Sequence, residues 1–282
     1  MRPHQWVKNS FVLAPLVFAQ QLTVPVSVAR AAAATALFCM ISGAVYLMND
    51  IYDVEKDRAH PKKKDRPIPS GRLSIEVAKR TSAGLVVATL LLGLALSWKF
   101  AAAAMLYFAV NFAYSQKLKH LAYVDVLTIA FGFLVRIVAG ALAIDVPVSM
   151  WLFACTFTLA LFLGMGKRRH ELLSAAHGNA VKQRKVLKNY DLQSLTMAMH
   201  GTALGTVAAY TAYAVEDHTA TFGTDLLWTT IPFCVIGITR FFRLSSDAEN
   251  PSSPTEKIVS DAPFLVNLAM WGALMIYLIY LS

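Results

Sequence analysis

The most chemically loaded stretch of the chain runs from Asn49 to Arg72, N-D-I-Y-D-V-E-K-D-R-A-H-P-K-K-K-D-R-P-I-P-S-G-R. Asp50, Asp53 and Asp57 fall at intervals of three and four, which on a continuing helix stacks the carboxylates along one face. Three like charges so placed repel one another, more strongly as water is excluded, unless a cation sits among them. Lys62, Lys63, Lys64, Arg66 and Arg72 come next, a run suited to holding phosphate. Hard oxygen ligands for a divalent ion beside cations for phosphate point to a magnesium-diphosphate site. A solvated charge run would explain Lys62–Lys64 alone. It explains Asn49 and Asp50 poorly, since they close a long apolar segment where an acid is costly. Pro61, Pro67 and Pro69 end the helix and stiffen the loop, and Gly71 permits a sharp turn.

Other groups gather near the ends of apolar segments. Tyr114, Lys117, Lys119 and Asp125 stand where two segments join. They complete the ion and phosphate site from the opposite side, or serve as interface anchors and a helix N-terminal acid. Arg136 lies about three helical turns deeper in an apolar segment, so it is expected to face a polar cavity or a buried acid. G-M-G-K-R-R-H-E, Gly164 to Glu171, puts Lys167 and Arg168 at another segment end, with Glu171 able to pair with Lys167 at i, i+4. Lys182, Arg184, Lys185, Lys188, Asn189, Tyr190 and Asp191 follow. An interfacial basic belt for anionic lipid head groups is the competing account of these cations. At the start, Lys8 and Asn9 head an apolar run and would point into a cytoplasmic cavity, while Trp6 suits an aromatic belt.

Positioning these groups falls to membrane-spanning helices. The chain has 282 residues, 56% hydrophobic and 15% charged, and a mean hydropathy of +0.51. Soluble domains average about 45–50% apolar and about 25% charged, so the composition is that of an integral membrane protein. The expected fold is all-α and polytopic, with about nine spans at 8–22, 28–50, 76–97, 99–116, 121–142, 148–166, 193–215, 224–242 and 261–281. The expected organisation is one domain over 1–282, with no soluble domain at either end and no cleaved signal peptide. Pro15 would kink the first span. Most of the Lys and Arg, 18 of 26, fall in the loops at 51–75, 117–120, 167–192 and 243–260, while Arg30 and Lys99 stand on the opposite side. The positive-inside rule then puts the N-terminus and the long loops in the cytoplasm. The formal charge of +9 reflects those loops and not nucleic acid. The loop at 243–260, with Asp247, Glu249, Pro251 and Pro254, is a cap or a linker. Cys39, Cys155 and Cys234 all lie in apolar segments without metal-ligand spacing. No P-loop, H-E-x-x-H, G-x-S-x-G or Rossmann glycine pattern is present.

N-D-x-x-D-x-x-x-D after the second of about nine helices resembles the UbiA superfamily of intramembrane prenyltransferases. The resemblance implies helices around a central cavity open to the cytoplasm, in which Asn49, Asp50, Asp53 and Asp57 are the metal-binding and catalytic residues and magnesium is held on a diphosphate. Quinone-forming members carry a second D-x-x-x-D, but here Asp125 is followed four residues on by Ile129. Other segments resemble the decaprenyl-phosphate phosphoribosyltransferase branch. These are R-P-x-Q-W-V-K-N, D-R-x-H-P-x-K-x-x-R-P-I, Y-x-x-x-L-K-H from Tyr114, L-x-R-x-x-A-G around Arg136 and G-K-R-x-x-E-L from Gly166. That similarity implies transfer of phosphoribosyl from 5-phosphoribosyl diphosphate to a polyprenyl phosphate, in the plasma membrane, as a step toward the arabinogalactan of a mycobacterial-type cell wall. Substrate would be held by Lys8, Asn9, Lys63, Arg66, Tyr114, Lys117, Lys119, Asp125, Arg136, Lys167, Arg168, Glu171 and Tyr190. A prenyltransferase acting on an aromatic acceptor is the alternative enzyme, and a transporter the alternative class. A transporter should show acids or broken helices near mid-membrane; here the acids cluster at segment ends. A homo-oligomer is compatible with all of these.

Overall fold

Apolar segments become helices throughout the computed structural model, which describes residues 3–59, 63–176, 185–216, 218–247 and 253–281. The chain forms two compact units, Met1–Val148 and Ser149–Ser282. Among the described residues, six helices are long and apolar enough to cross a membrane by length and composition: Pro25–Tyr52, Ile75–Leu96, Val124–Ile144, Met150–Ala175, Leu226–Ser246 and Ala262–Tyr280. The expected spans at 99–116 and 193–215 are helical as well.

The first unit opens with a 3-10 helix, Pro3–Leu13, that passes into α1, Ala14–Phe18. This differs from the kinked span expected over 8–22. Pro15 stands in the first turn of α1, where its fixed φ suits a helix. A 3-10 helix rises about 2.0 Å per residue against about 1.5 Å for an α-helix. The 11 residues of the one and the 5 of the other therefore cover roughly 30 Å, the thickness of a bilayer's hydrocarbon core. Next come α2 (Pro25–Tyr52) and the short α3 (Val54–Arg58). Helix α4 (Ile75–Leu96) starts at Ser74, whose hydroxyl accepts the Val77 N–H at 3.3 Å. Helix α5 (Trp98–Gln116) is followed by a 3-10 turn, Leu118–His120, and by α6 (Val124–Ile144).

Helix α2 touches α4, α5 and α6, and the N-terminal 3-10 helix lies against α2 and α6. The core between them holds Phe38, Ile41, Phe100, Tyr107 and Val135, with Phe38 edge-on to Phe100 at 5.9 Å. Gly140 makes the N-terminal contact possible, because a Cβ there would collide with the Val12 carbonyl.

The second unit begins with α7 (Met150–Ala176) and a 3-10 turn, Lys185–Asn189. Helix α8 (Leu192–Val215) is capped by Asp191, which accepts the Ser194 N–H at 2.8 Å. The short α9 (Thr219–Phe222) precedes a 3-10 turn, Leu226–Thr230, that leads into α10 (Ile231–Ser246). The expected loop at 243–260 is partly helical: α11 (Pro254–Lys257) and a 3-10 turn, Ile258–Ser260, precede α12 (Ala262–Tyr280). Glu249 and Pro251 lie outside the described residues. Helices α7, α8 and α10 pack on one another and α12 packs on α10. Gly166 lets them close: a Cβ there would come within 2.6 Å of the Phe241 ring and 3.2 Å of Met199.

Candidate metal-diphosphate site

The aspartate face predicted from the spacing is interrupted. Helix α2 ends at Tyr52 and α3 begins at Val54, with Asp53 at the joint (φ −98°, ψ 9°). Asp53 takes a different cation from the one its neighbours share. Asp50 and Asp57 converge on one cation: Arg66 Nη1 lies 3.2 Å from Asp50 Oδ1 and 2.6 Å from Asp57 Oδ2. Lys63 Nζ stands 3.6 Å from the other oxygen of Asp57. Asp53 has a separate cation, Lys119, whose Nζ donates to both carboxylate oxygens at 3.0 and 3.1 Å. Burial pushes the Asp53 carboxyl up. The hydrogen bond and charge of Lys119, with Lys56 and Lys63 behind it, outweigh that and hold it below the usual carboxylate value.

The loop that carries Arg66 is built to present it. The backbone closes through Ser70 N to Arg66 O at 3.0 Å, Gly71 N to Ile68 O at 3.1 Å and Leu73 N to Pro67 O at 2.8 Å. Gly71 takes the left-handed φ of +78° that the turn requires. Ile68, 3% exposed, plugs in beside Leu47 of α2 and Ala78 of α4. Arg72, predicted among the phosphate ligands, is used within the loop: it donates to the Asp65 carbonyl and to Ser70 Oγ. Lys119 is delivered by the turn after α5. Lys62, Lys182 and Arg184 lie outside the described residues.

The donor set suits magnesium. Two carboxylate oxygens from different helices already share one positively charged nitrogen, and the neighbouring donors are hard oxygens. Among the described residues no three acidic, His or Cys side chains form a ready cage; the chain's own cations stand between the carboxylates. Asn49 is tied across to α5 by Ser115, whose hydroxyl meets Asn49 Oδ1 and also the Asn111 carbonyl at 2.7 Å.

A second cluster surrounds Arg136, which is 5% exposed. The expected buried acid is not its partner: among the described residues no carboxylate pairs with it. Neutral oxygens hold it instead. Nε donates to Asn9 Oδ1 at 2.9 Å, Nη1 to Gly132 O at 2.9 Å and Nη2 to Tyr107 OH at 2.8 Å. The guanidinium also lies over the Tyr107 and Phe133 rings at 4.6 and 5.4 Å. Ser42 Oγ donates to Asn9 Oδ1 at 3.3 Å. Asn9 is thus fully buried against Arg136, while Lys8 beside it is exposed.

Tyr114 is half-buried on α5 and Lys117 is exposed at its C-terminal end. Asp125 is fully buried in the first turn of α6, just after Tyr123, which adopts φ +64°. In the second unit, Arg168 is 2% exposed and donates to Glu171 Oε2 at 2.6 Å. Lys167 is half-buried and Tyr190 buried. Arg169, unremarked in the sequence, donates to Thr196 on α8 and Ser246 on α10 at 3.1 and 3.0 Å. Ser42, Tyr107 and Ser115 were also missed. The available signal was a hydroxyl inside an apolar span.

The fold and this site define a polytopic, all-helical membrane protein with paired acidic and basic groups at a helix end. A family model described as the UbiA prenyltransferase family matches residues 10–253, and the chain belongs to that family. It is 34% identical to the decaprenyl-phosphate phosphoribosyltransferase of Mycolicibacterium smegmatis, over 96% of this chain and 88% of that one. It is 30% identical to the enzyme of the same name from Corynebacterium glutamicum, over 100% of this chain and 86% of that one. The fold matches a UbiA homologue from Archaeoglobus fulgidus, solved with GPP and Mg2+, with a TM-score of 0.74 at 17% identity over 99% of this chain and 97% of that one.

Proposed function

We propose that the chain is a magnesium-dependent glycosyltransferase that moves the 5-phosphoribosyl group of 5-phosphoribosyl diphosphate onto a polyprenyl phosphate, decaprenyl phosphate in particular. The observation that carries this is the 34% identity, over 96% of the chain, with a protein named for that activity. The residue at position 129 supports it, since Ile129 stands where quinone-forming members would place a further acid.

The chemistry asks little of a base. A phosphate oxygen of the lipid, already anionic at neutral pH, forms a bond to the ribose anomeric carbon as the bond from that carbon to diphosphate breaks. The electron pair of that bond leaves on the diphosphate. Bound among Asn49, Asp50, Asp53 and Asp57, magnesium would neutralise charge on the departing diphosphate. Lys63, Arg66 and Lys119 provide the cations for its oxygens. Lys8, Asn9, Tyr114, Lys117, Asp125, Arg136, Lys167, Arg168, Glu171 and Tyr190 are assigned to substrate on their sequence pattern. The same reading sets the protein in the plasma membrane with its site facing the cytoplasm.

The test uses purified protein in detergent, magnesium, polyprenyl phosphate and labelled 5-phosphoribosyl diphosphate. Label should move into the organic phase and stop moving when EDTA is added. No transfer, with condensation of a prenyl diphosphate onto an aromatic acid instead, would overturn the assignment in favour of the quinone-forming branch.

A further inference from the structure

All three motif aspartates are already neutralised by cations of the chain itself. Asp57 Oδ2 lies 2.6 Å from Arg66 Nη1, and Asp50 Oδ1 shares that nitrogen at 3.2 Å. Both oxygens of Asp53 receive Lys119 Nζ. A magnesium ion binds carboxylate oxygens at about 2.0–2.1 Å. An ion bridging Asp50 and Asp57 on the side they share would enter the space that Arg66 Nη1 now takes. The two cations compete for that position, although each carboxylate keeps further lone pairs.

We infer that Arg66 and Lys119 are resident counter-ions that magnesium displaces from the aspartates and that then pass to the diphosphate oxygens. The loop backbone around Arg66 is anchored by Ile68 and its hydrogen bonds, so the exchange needs only side-chain motion. Nε and Nη2 of Arg66 make no hydrogen bond among the described residues. The exchange couples the two ligands. Metal alone leaves two displaced cations beside a divalent ion, and diphosphate alone meets cations already held by carboxylates. Metal and diphosphate together satisfy every charge. The inference rests on the metal-diphosphate reading of the site and is independent of which lipid accepts the sugar.

Removing a resident cation should therefore change the affinities for metal and for diphosphate in opposite directions. The measurement is Mn2+ binding to the full chain in detergent by electron paramagnetic resonance, with and without inorganic diphosphate. In the wild-type protein diphosphate should tighten Mn2+ by at least about tenfold. Arg66→Gln should bind Mn2+ alone about tenfold tighter than wild type, the scale of one lost charge-assisted hydrogen bond. Diphosphate should then add only a few-fold. Lys119→Gln should behave the same way, and carries the test should Arg66→Gln fail to fold. Lys56→Gln removes an equal charge from a side chain that is 68% exposed and 3.6 Å from Asp53; it should shift Mn2+ affinity by less than about twofold. Bare-metal affinity unchanged or weaker in both Arg66→Gln and Lys119→Gln would overturn the exchange. Equal tightening in Lys56→Gln would overturn it too, leaving only a long-range field. No Mn2+ binding in any protein, with or without diphosphate, would instead remove the metal site itself.

Discussion

Replacing Asn9 by Ala takes one of three hydrogen-bond acceptors from a buried guanidinium. Arg136 Nε reaches Asn9 Oδ1 at 2.9 Å, and Asn9 is 0% exposed, so no bulk water stands ready to replace the lost oxygen. Polar pairs between membrane helices average only about 0.6 kcal/mol, because the alternative state also finds partners. Hydrogen bonds to charged groups are worth about 1.5–3 kcal/mol. The second figure governs here: the charge persists after the mutation, and no carboxylate among the described residues compensates it. The expected cost is about 2 kcal/mol, or a fall in melting temperature of about 4–8 °C for a chain of this size. Thermal unfolding in detergent measures it, and a double-mutant cycle assigns it. In an Arg136→Met background, Asn9→Ala should cost less than about 0.5 kcal/mol. Only the contacts of Asn9 to Ser42 and Cys39, both at 3.3 Å, would remain to be lost. Asn9→Asp keeps the oxygen and adds the missing negative charge, so it should be no less stable than wild type. Equal costs for Asn9→Ala in both backgrounds would refute the coupling and leave Asn9 as packing alone.

Three further outcomes follow from the same geometry. Asp50→Ala with Asp53→Ala should abolish transfer while expression and melting temperature stay near wild type; retained turnover in that double variant would sink the metal site. Gly140→Ala should destabilise the first unit by about 1–3 kcal/mol, as overpacking does, because the new Cβ meets the Val12 carbonyl. Gly201→Ala, with open space around it, should be neutral or slightly stabilising through helix propensity, and thermal unfolding of the two variants compares them directly. Asp261 is held below the usual carboxylate range chiefly by its hydrogen bond from Arg240, partly opposed by burial. Its contribution is therefore complete above the unfolded-state value and is lost as pH falls through the folded one. The gap in melting temperature between wild type and Asp261→Asn should thus close as pH is lowered through the carboxylate range, and a gap that widens on acidification would contradict the sign.

Arg66, Arg136 and Asp53 show how far sequence and structure each reach. Class, membrane residence and the identity of the charged groups were legible in the chain. Apolar runs of about 20 residues leave the backbone no option in lipid but helix, and an acid at the end of such a run needs a reason to be there. Such signals are local, and local composition is enough to carry them. Partnerships are not local. That Arg136 would settle on Asn9, 127 residues away in sequence, or Lys119 on Asp53, 66 residues away, depends on which helix faces meet. The small contacts set those faces: Gly140 against Val12 and Ile68 against Ala78. The helix break at Asp53 belongs to the same class. Spacing of three and four predicts one face on a helix that continues, and nothing in N-D-I-Y-D marks the point where this one stops. The chain alone determined which charges sit at the ends of apolar segments; tertiary packing decided which of them neutralise each other, because pairing distances of about 3 Å are set by the approach of whole helices and not by the order of residues along them.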